Sequence, residues 1–240
     1  MSRETHEQRL ASWARRGKPG TPPVAAATVI LVRDARGGLE TLMLRRNSKI
    51  AFGGMWVFPG GRVDEADRAG LAPDDELGAG RRAAVREAQE EAGLALGDDV
   101  LVPFSHWKPP SITPRRFFTW FFIAPAPSGA VAIDRGEIHE HAWLGPAEAL
   151  RRRDAGEIEL APPTFVTLHE LAGWSCAEEA LAAAQARSPE HFATRIAVTD
   201  AGPVALWHGD SGYADGDAER GGRRHRLAMS DDGWSYERSR

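Results

Sequence analysis

Three glutamates near the middle of this chain share one side of a short helical segment. In Arg86-Glu87-Ala88-Gln89-Glu90-Glu91-Ala92-Gly93-Leu94, a helix of about 3.6 residues per turn puts Glu87, Glu90 and Glu91 within a sector of roughly 100°. Val85, Ala88 and Ala92 fall on another sector, an apolar seam that can dock on a sheet while the carboxylates face outward. Acids on an arbitrary Glu-rich helix are mostly a solvated face. Here that arrangement is penalised, because all three lie just before Gly93, a C′ residue. The helix dipole favours cations at that end, and each misplaced anion costs roughly 0.3–1 kcal/mol. Like charges three and four residues apart add a few tenths of a kcal/mol per pair. A divalent cation reverses both signs. Carboxylate oxygens are hard ligands, so the ion indicated is Mg²⁺ or Mn²⁺, with waters and substrate phosphates completing its shell.

Such a helix needs a sheet to sit on, and the flanking sequence supplies strands. Val24 to Val32 and Leu39 to Arg46 are apolar or alternating runs joined across Asp34 to Gly38, the pattern of a hairpin. Met55 to Phe58 makes a third short strand leading into Pro59-Gly60-Gly61. There two glycines allow positive φ and close backbone approach, so that a carbonyl or amide reaches a metal or phosphate. Asp99 to Trp107 and Arg116 to Ala124 read as strands, the second almost wholly apolar and aromatic, as a central strand is. The loop between them ends in Arg115-Arg116. That pair reads either as a solubilising strand start or as a clamp whose guanidinium forks bind substrate phosphate. Glu137 to Leu144 forms a strand with acids at its start, and helices follow at Pro146 to Arg153, Thr164 to Ala172 and Cys176 to Arg187. His139 and His141 flank Glu140, a pair more often found at the surface than on a metal.

At the glutamate segment the chain resembles the Nudix hydrolases. Their box reads Gly, five residues, Glu, seven residues, then Arg-Glu-apolar-x-Glu-Glu-x-Gly-apolar, and its second half is matched by Arg86, Glu87, Ala88, Glu90, Glu91, Gly93 and Leu94. The first half departs, because 24 residues separate Gly61 from Arg86, eleven more than the pattern has. Counting forward from Gly61 puts Asp67 at the first Glu position and counting back from Arg86 puts Gly78 there. Residues 65–79 therefore read as a loop inserted into the box, and the role of that first Glu is unassigned.

The resemblance implies an α+β fold, a Nudix-type α/β/α sandwich with a mixed central sheet, and Mg²⁺-dependent attack of water on the diphosphate of a nucleoside diphosphate derivative. It assigns Glu90 and Glu91 as metal ligands, Glu87 as a third ligand or the base, and Arg86 to orient a glutamate through a charge-assisted hydrogen bond. An additional Glu near the metals comes in this family from the strand after the Pro/Gly turn, which makes Glu137 and Glu140 the candidates, Glu140 being taken as the ligand. Gly60, Gly61, Arg115 and Arg116 are the substrate-binding candidates.

Phe58-Pro59-Gly60-Gly61-Arg62-Val63-Asp64, His106-Trp107 and Thr113-Pro114-Arg115-Arg116-Phe117 resemble the coenzyme A and acyl-CoA diphosphatase branch. Gly54 matches the glycine of the additional coenzyme A signature. Its Arg-Ser or Arg-Ala does not recur, since Arg46 is followed by Asn47 and Ile50 stands near the place of its second Arg. The alternatives are an ADP-ribose or nucleotide-sugar pyrophosphatase and a non-catalytic nucleotide-sensing module. Such a module is expected to lose carboxylates from the helix, and this chain keeps all three.

With 240 residues and 42% hydrophobic content, the chain can bury a full core. A net charge of −4 argues against a nucleic-acid partner. A single cysteine, Cys176, excludes an internal disulfide framework and suits a reducing cytosol. Met1 to Pro23 is polar without an apolar leader core, and Val24 to Val32 is too short to span a bilayer, so a soluble cytoplasmic protein without a membrane partner is expected. Residues 1–23, a short helix from Glu4 to Arg15 and a Gly/Pro connector, read as a mobile arm; 24–187 as the hydrolase domain; and 188–240 as a small C-terminal β appendage. Its strand candidates are Arg195 to Thr199, Val204 to Trp207, Arg226 to Ala228 and Trp234 to Glu237. The appendage would complete the substrate pocket or form a homodimer contact.

Overall fold

The computed structural model describes residues 6–16, 20–47, 53–230 and 232–239. Residues 1–5 and Ile50, which the sequence reading used, lie outside them. In chain order the elements are α1 (His6–Arg16), β1 (Val24–Ala35), β2 (Gly38–Arg46), β3 (Trp56–Val57), β4 (Gly60–Arg62), α2 (Glu65–Arg68) and α3 (Glu76–Ala92). A 3₁₀ turn at Asp98–Val100 leads to β5 (Val102–Lys108), β6 (Phe117–Pro125), β7 (Ile138–Leu144), α4 (Pro146–Asp154), α5 (Pro162–Leu171) and α6 (Ala177–Gln185). The last strands are β8 (Glu190–Ala193), β9 (Arg195–Thr199), β10 (Gly202–Leu206), β11 (His225–Ser230) and β12 (Gly233–Arg238). Among the described residues no helix is long and apolar enough to cross a membrane.

The chain divides into two compact units. The larger comprises Val24–His106 and Phe118–Glu190. Its sheet runs β3-β2-β1-β6-β5, with β4 paired to β1 and β7 to β2. The expected hairpin forms, with Val32 opposite Thr41 and Ala35 opposite Gly38. Thr28 through Val32 are all buried, so β1 is covered on both faces. On one face Ala83, Ala84, Ala88 and Ala92 of α3 pack against Ala27, Val29 and Leu31 of β1 and Leu42 and Leu44 of β2. Alanines at four-residue spacing let the helix axis approach the sheet closely, while burial of each larger aliphatic contributes about 1.5–3 kcal/mol. α4 contacts β2, and α6 contacts β1, where Asp34 Oδ1 accepts the Ala177 N–H at 2.7 Å. The result is the expected mixed sheet between helical layers, and β6 is central as its composition predicts.

The insertion in the box is not one loop. Asp75 caps α3, its side chain accepting the Gly78 N–H at 2.8 Å, so residues 76–79 are already helix. Residues 65–68 form α2, and only the stretch between the two helices is irregular.

The smaller unit comprises Met1–Pro23, Trp107–Phe117 and His191–Arg240. Its antiparallel sheet runs β12-β11-β10-β9, the extra C-terminal sheet. Residues 6–16, which the sequence reading put in a mobile arm, are packed. α1 lies on β9 and β10, Leu10 is 3% exposed, and Glu7 Oε1 accepts the Trp234 indole N–H at 2.7 Å. Polar ends on an 11-residue helix hide an apolar stripe that only a distant sheet covers. β8, which the sequence reading passed over, brings Phe192 onto Trp107 with rings stacked at 3.8 Å. Inside the sheet unit Arg226 grips Asp210 with two hydrogen bonds of 2.7 Å. Burial opposes the Asp210 charge, yet the Arg226 fork and the N–H groups of His225 and Gly212 hold its carboxyl down at about 2.

Candidate active site

The acids of α3 sit where β4 passes beneath them. The helix stops at Gly93, whose φ of 68° is left-handed and whose N–H bonds the Gln89 carbonyl, directly after the acids. β4 runs antiparallel to β1, with Gly60 opposite Thr28 and Gly61 opposite Ala27. A Cβ on Gly61 would stand 2.2 Å from Glu87 Oε1, and one on Gly60 would stand 2.4 Å from the Ala27 carbonyl oxygen. Gly60 is therefore required by its close approach to backbone, whereas a side chain at Gly61 would displace the Glu87 carboxylate. Neither has a positive φ, which corrects that half of the sequence argument. The polar groups of the Gly60 backbone are engaged inside the protein: its N–H donates to Glu91 Oε2 at 2.9 Å, and its carbonyl accepts from Arg46 Nη1 at 3.2 Å.

The three glutamates have different surroundings. Glu91 is 3% exposed, and its Oε1 has no hydrogen-bond donor, only the Arg46 Nη1 charge at 3.4 Å. Burial pushes its carboxyl up to about 7, against the pull of the Gly60 N–H and Arg46 and with the help of the Glu87 and Glu137 charges. Glu87 is half-buried over Gly61, and burial raises its pKa despite the bond from Arg86. Glu90 is exposed.

Arg86 ties these acids to the preceding loop. Nη1 donates to Glu87 Oε1 at 2.8 Å and to Glu90 Oε2 at 3.0 Å. Nη2 donates to the Arg62 carbonyl at 2.8 Å and to Asp67 Oδ2 at 3.0 Å, and Nε reaches Asp67 Oδ1 at 3.3 Å. Burial works against the Arg86 charge, but the Asp67 and Glu87 bonds outweigh it and keep the guanidinium protonated. Asp67 is 5% exposed and also accepts the Asp64 N–H at 2.8 Å. Of the two positions that counting offered, Asp67 is the one that meets Arg86.

A family model described as the NUDIX domain matches residues 22–164. The chain belongs to the Nudix family. A Nudix hydrolase from Alicyclobacillus acidocaldarius is 26% identical, covers 68% of this chain and 96% of its own, and superposes with a TM-score of 0.60. The NUDIX domain of Shewanella oneidensis NrtR complexed with ADP ribose is 19% identical, covering 70% of this chain and 97% of its own, with a TM-score of 0.48. A C. elegans Ap4A hydrolase is 22% identical over 62% of this chain and 99% of its own, with a TM-score of 0.41. A comparison with curated proteins found no match. As a Nudix protein the chain is a hydrolase of acid anhydrides acting on nucleoside diphosphate derivatives, and its family generally uses divalent metals such as Mg²⁺.

The remaining candidates separate around this Nudix helix. Glu140 on β7 is exposed and faces Arg45 at 3.4 Å. Glu137 accepts from Arg46 Nη2 at 2.8 Å, and its charge raises the pKa of both Glu87 and Glu91. Of the two acids weighed for this strand, Glu137 is the one linked to the helix acids. His139 and His141 are exposed. Arg115 and Arg116 belong to the smaller unit, in a loop where the Gly20 N–H bonds the Ser111 carbonyl at 2.6 Å and the Thr21 N–H bonds the Pro114 carbonyl at 3.1 Å.

Among the described residues no three His, Cys, Asp or Glu side chains stand close enough together to hold an ion as placed. Arg46 and Arg86 hold the carboxylates instead. The donor set nevertheless fits a hard divalent ion, because every donor is a carboxylate oxygen and the buried Glu91 Oε1 lacks a hydrogen-bond partner. Sequence reasoning did not foresee Arg46 and left Asp67 unassigned. Asp67 is one of two positions that counting along the box offers, and Arg46 is read there only against the coenzyme A signature; neither pattern says which distant acid or arginine each would meet.

Proposed function

We propose that this chain is a Mg²⁺-dependent diphosphatase of coenzyme A or acyl-CoA, cleaving the diphosphate to 4′-phosphopantetheine or its acyl form and 3′,5′-ADP. The observation that carries the reading of the site is the buried Glu91, with one oxygen on the Gly60 N–H and the other without a donor, beside Glu87 and Glu90 on a helix end that disfavours anions. Glu87, Glu90 and Glu91 would hold the ion, with Glu137 or Glu140 adding a carboxylate from the neighbouring strand. A bound divalent ion supplies charge neutralisation of the diphosphate and a lowered pKa for water.

The chain's own residues do the rest. Gly60 holds Glu91 Oε2 in place, and Gly61 leaves room for the Glu87 carboxylate, which serves either as the third ligand or as the base that takes a proton from the attacking water. Arg86 fixes Glu87 and Glu90 and is itself fixed by Asp67. Arg115 and Arg116 are assigned to the substrate phosphates by the character of their guanidinium groups. Support for coenzyme A comes from the Phe58 to Asp64, His106-Trp107 and Thr113 to Phe117 segments and from Gly54.

The test is product release with Mg²⁺ over coenzyme A, acetyl-CoA, ADP-ribose, NADH, a nucleotide sugar and a nucleoside triphosphate, with Glu91→Gln as the control. Turnover of the coenzyme A compounds is expected. Preferential turnover of ADP-ribose or the nucleotide sugar would overturn the substrate assignment while leaving the diphosphatase reading in place, and silence across the panel with metal bound would favour a sensing module.

A further inference from the structure

Arg46 stands at the end of β2, opposite a bulge in β7. The register of β2 with β7 shifts between Arg45 and Arg46, so that Arg45 lies opposite Glu140 while Arg46 lies opposite Ile138. From there Arg46 reaches segments far apart in sequence. Nη1 donates to the Gly60 carbonyl at 3.2 Å, Nη2 donates to Glu137 Oε2 at 2.8 Å, and Nη1 lies 3.4 Å from Glu91 Oε1. The side chain is 15% exposed, and neither its Nε nor Glu91 Oε1 makes a hydrogen bond. Toward Glu91, then, Arg46 acts as a charge and not as a donor. It offsets the anion without using its lone pairs.

We propose that Arg46 is the resident counter-ion of this site, a positioning residue that neutralises Glu91 and Glu137 in the metal-free protein and competes with the divalent ion for them. The proposal rests on the reading of Glu91 as a metal ligand. A cation bound at Glu91 Oε1 and a guanidinium 3.4 Å from the same oxygen repel each other in a site that water screens poorly. Leaving Oε1 breaks no hydrogen bond of Arg46, and Glu137, whose side chain is 59% exposed, can exchange the guanidinium for water. Arg46 thus offsets the charge of a buried carboxylate without locking it.

The experiment is calorimetric titration of Mn²⁺ into the metal-free full chain, for the wild type, Arg46→Met, Arg46→Lys and Glu91→Gln. Arg46→Met is expected to bind Mn²⁺ about tenfold more tightly, the scale of one pKa unit of charge interaction. Arg46→Lys, which keeps the charge, should bind like the wild type. A residue that serves only as a strut gives the opposite sign, since losing its bonds to Gly60 and Glu137 disorders the ligands. Unchanged or weaker binding by Arg46→Met overturns the proposal. If Glu91→Gln binds Mn²⁺ as the wild type does, the ligand reading itself fails and the proposal falls with it, a result separable from failure of Arg46→Met alone. Should Arg46→Met not fold, the wild-type Arg46 Nε–H resonance, identified by its loss in Arg46→Lys, decides the matter: it shifts on saturation with Mg²⁺ if the two cations compete, and an unmoved resonance overturns the proposal.

Discussion

Replacing Glu91 with glutamine should stabilise the metal-free protein, and only at neutral and alkaline pH. Burial raises the carboxyl from an ordinary 4.5 to about 7, so the folded state binds this proton more tightly than the unfolded chain does. The stability linked to that proton is fully present below about 4.5 and is lost as pH rises through about 7. At about 1.4 kcal/mol per pKa unit, the wild type forfeits about 3 kcal/mol by pH 8, and a neutral glutamine forfeits none of it. The glutamine carbonyl can still accept the Gly60 N–H, and its amino group then faces Arg46, a penalty that is the same at every pH. The diagnostic quantity is therefore the change between two pH values. Urea unfolding in EDTA at pH 5 and pH 8 should show the variant gaining about 2–3 kcal/mol on the wild type between them. Excess Mg²⁺ at pH 8 should favour the wild type again, since an ion held by the ionised carboxylate stabilises only the folded state. A wild-type-to-variant difference that does not change with pH would refute the assignment of Glu91 as a desolvated acid.

Other substitutions test the neighbouring parts. Gly61→Ala brings a Cβ to within 2.2 Å of Glu87 Oε1, so kcat should fall about a hundredfold, as when a reacting group is displaced by an ångström, while circular dichroism remains native. Arg86→Ala strands the buried Asp67 and should destabilise the larger unit by about 3–5 kcal/mol in calorimetry, with Asp67→Asn as a second change restoring part of the loss. Arg226→Met leaves Asp210 buried without its fork and should destabilise the smaller unit by a similar about 3–5 kcal/mol, read as a lowered transition in a thermal scan. Arg115→Ala with Arg116→Ala should raise KM for a diphosphate substrate and leave Mn²⁺ affinity unchanged; an unchanged KM would remove the pair from substrate binding.

The sequence by itself determined what depends on local spacing. Glu87, Glu90 and Glu91 share a helix face because the helical repeat places them there, and Gly93 ends that helix because its left-handed φ suits glycine. The β1–β2 hairpin, the central β6 and the helices after β7 were equally legible, since each is written in residues a few positions apart. Tertiary structure alone decided which distant groups meet the acids. Arg86 finds Asp67 at 19 residues' separation, Gly60 finds Glu91 at 31, and Arg46 finds Glu137 at 91. It also decided that α1 is a packed helix, because the strands that cover its apolar stripe lie near the other end of the chain. The physical reason is the same in each case: a helix repeat or turn is set by neighbouring residues, whereas the partner of a buried charge is chosen by how strands pair and in which register.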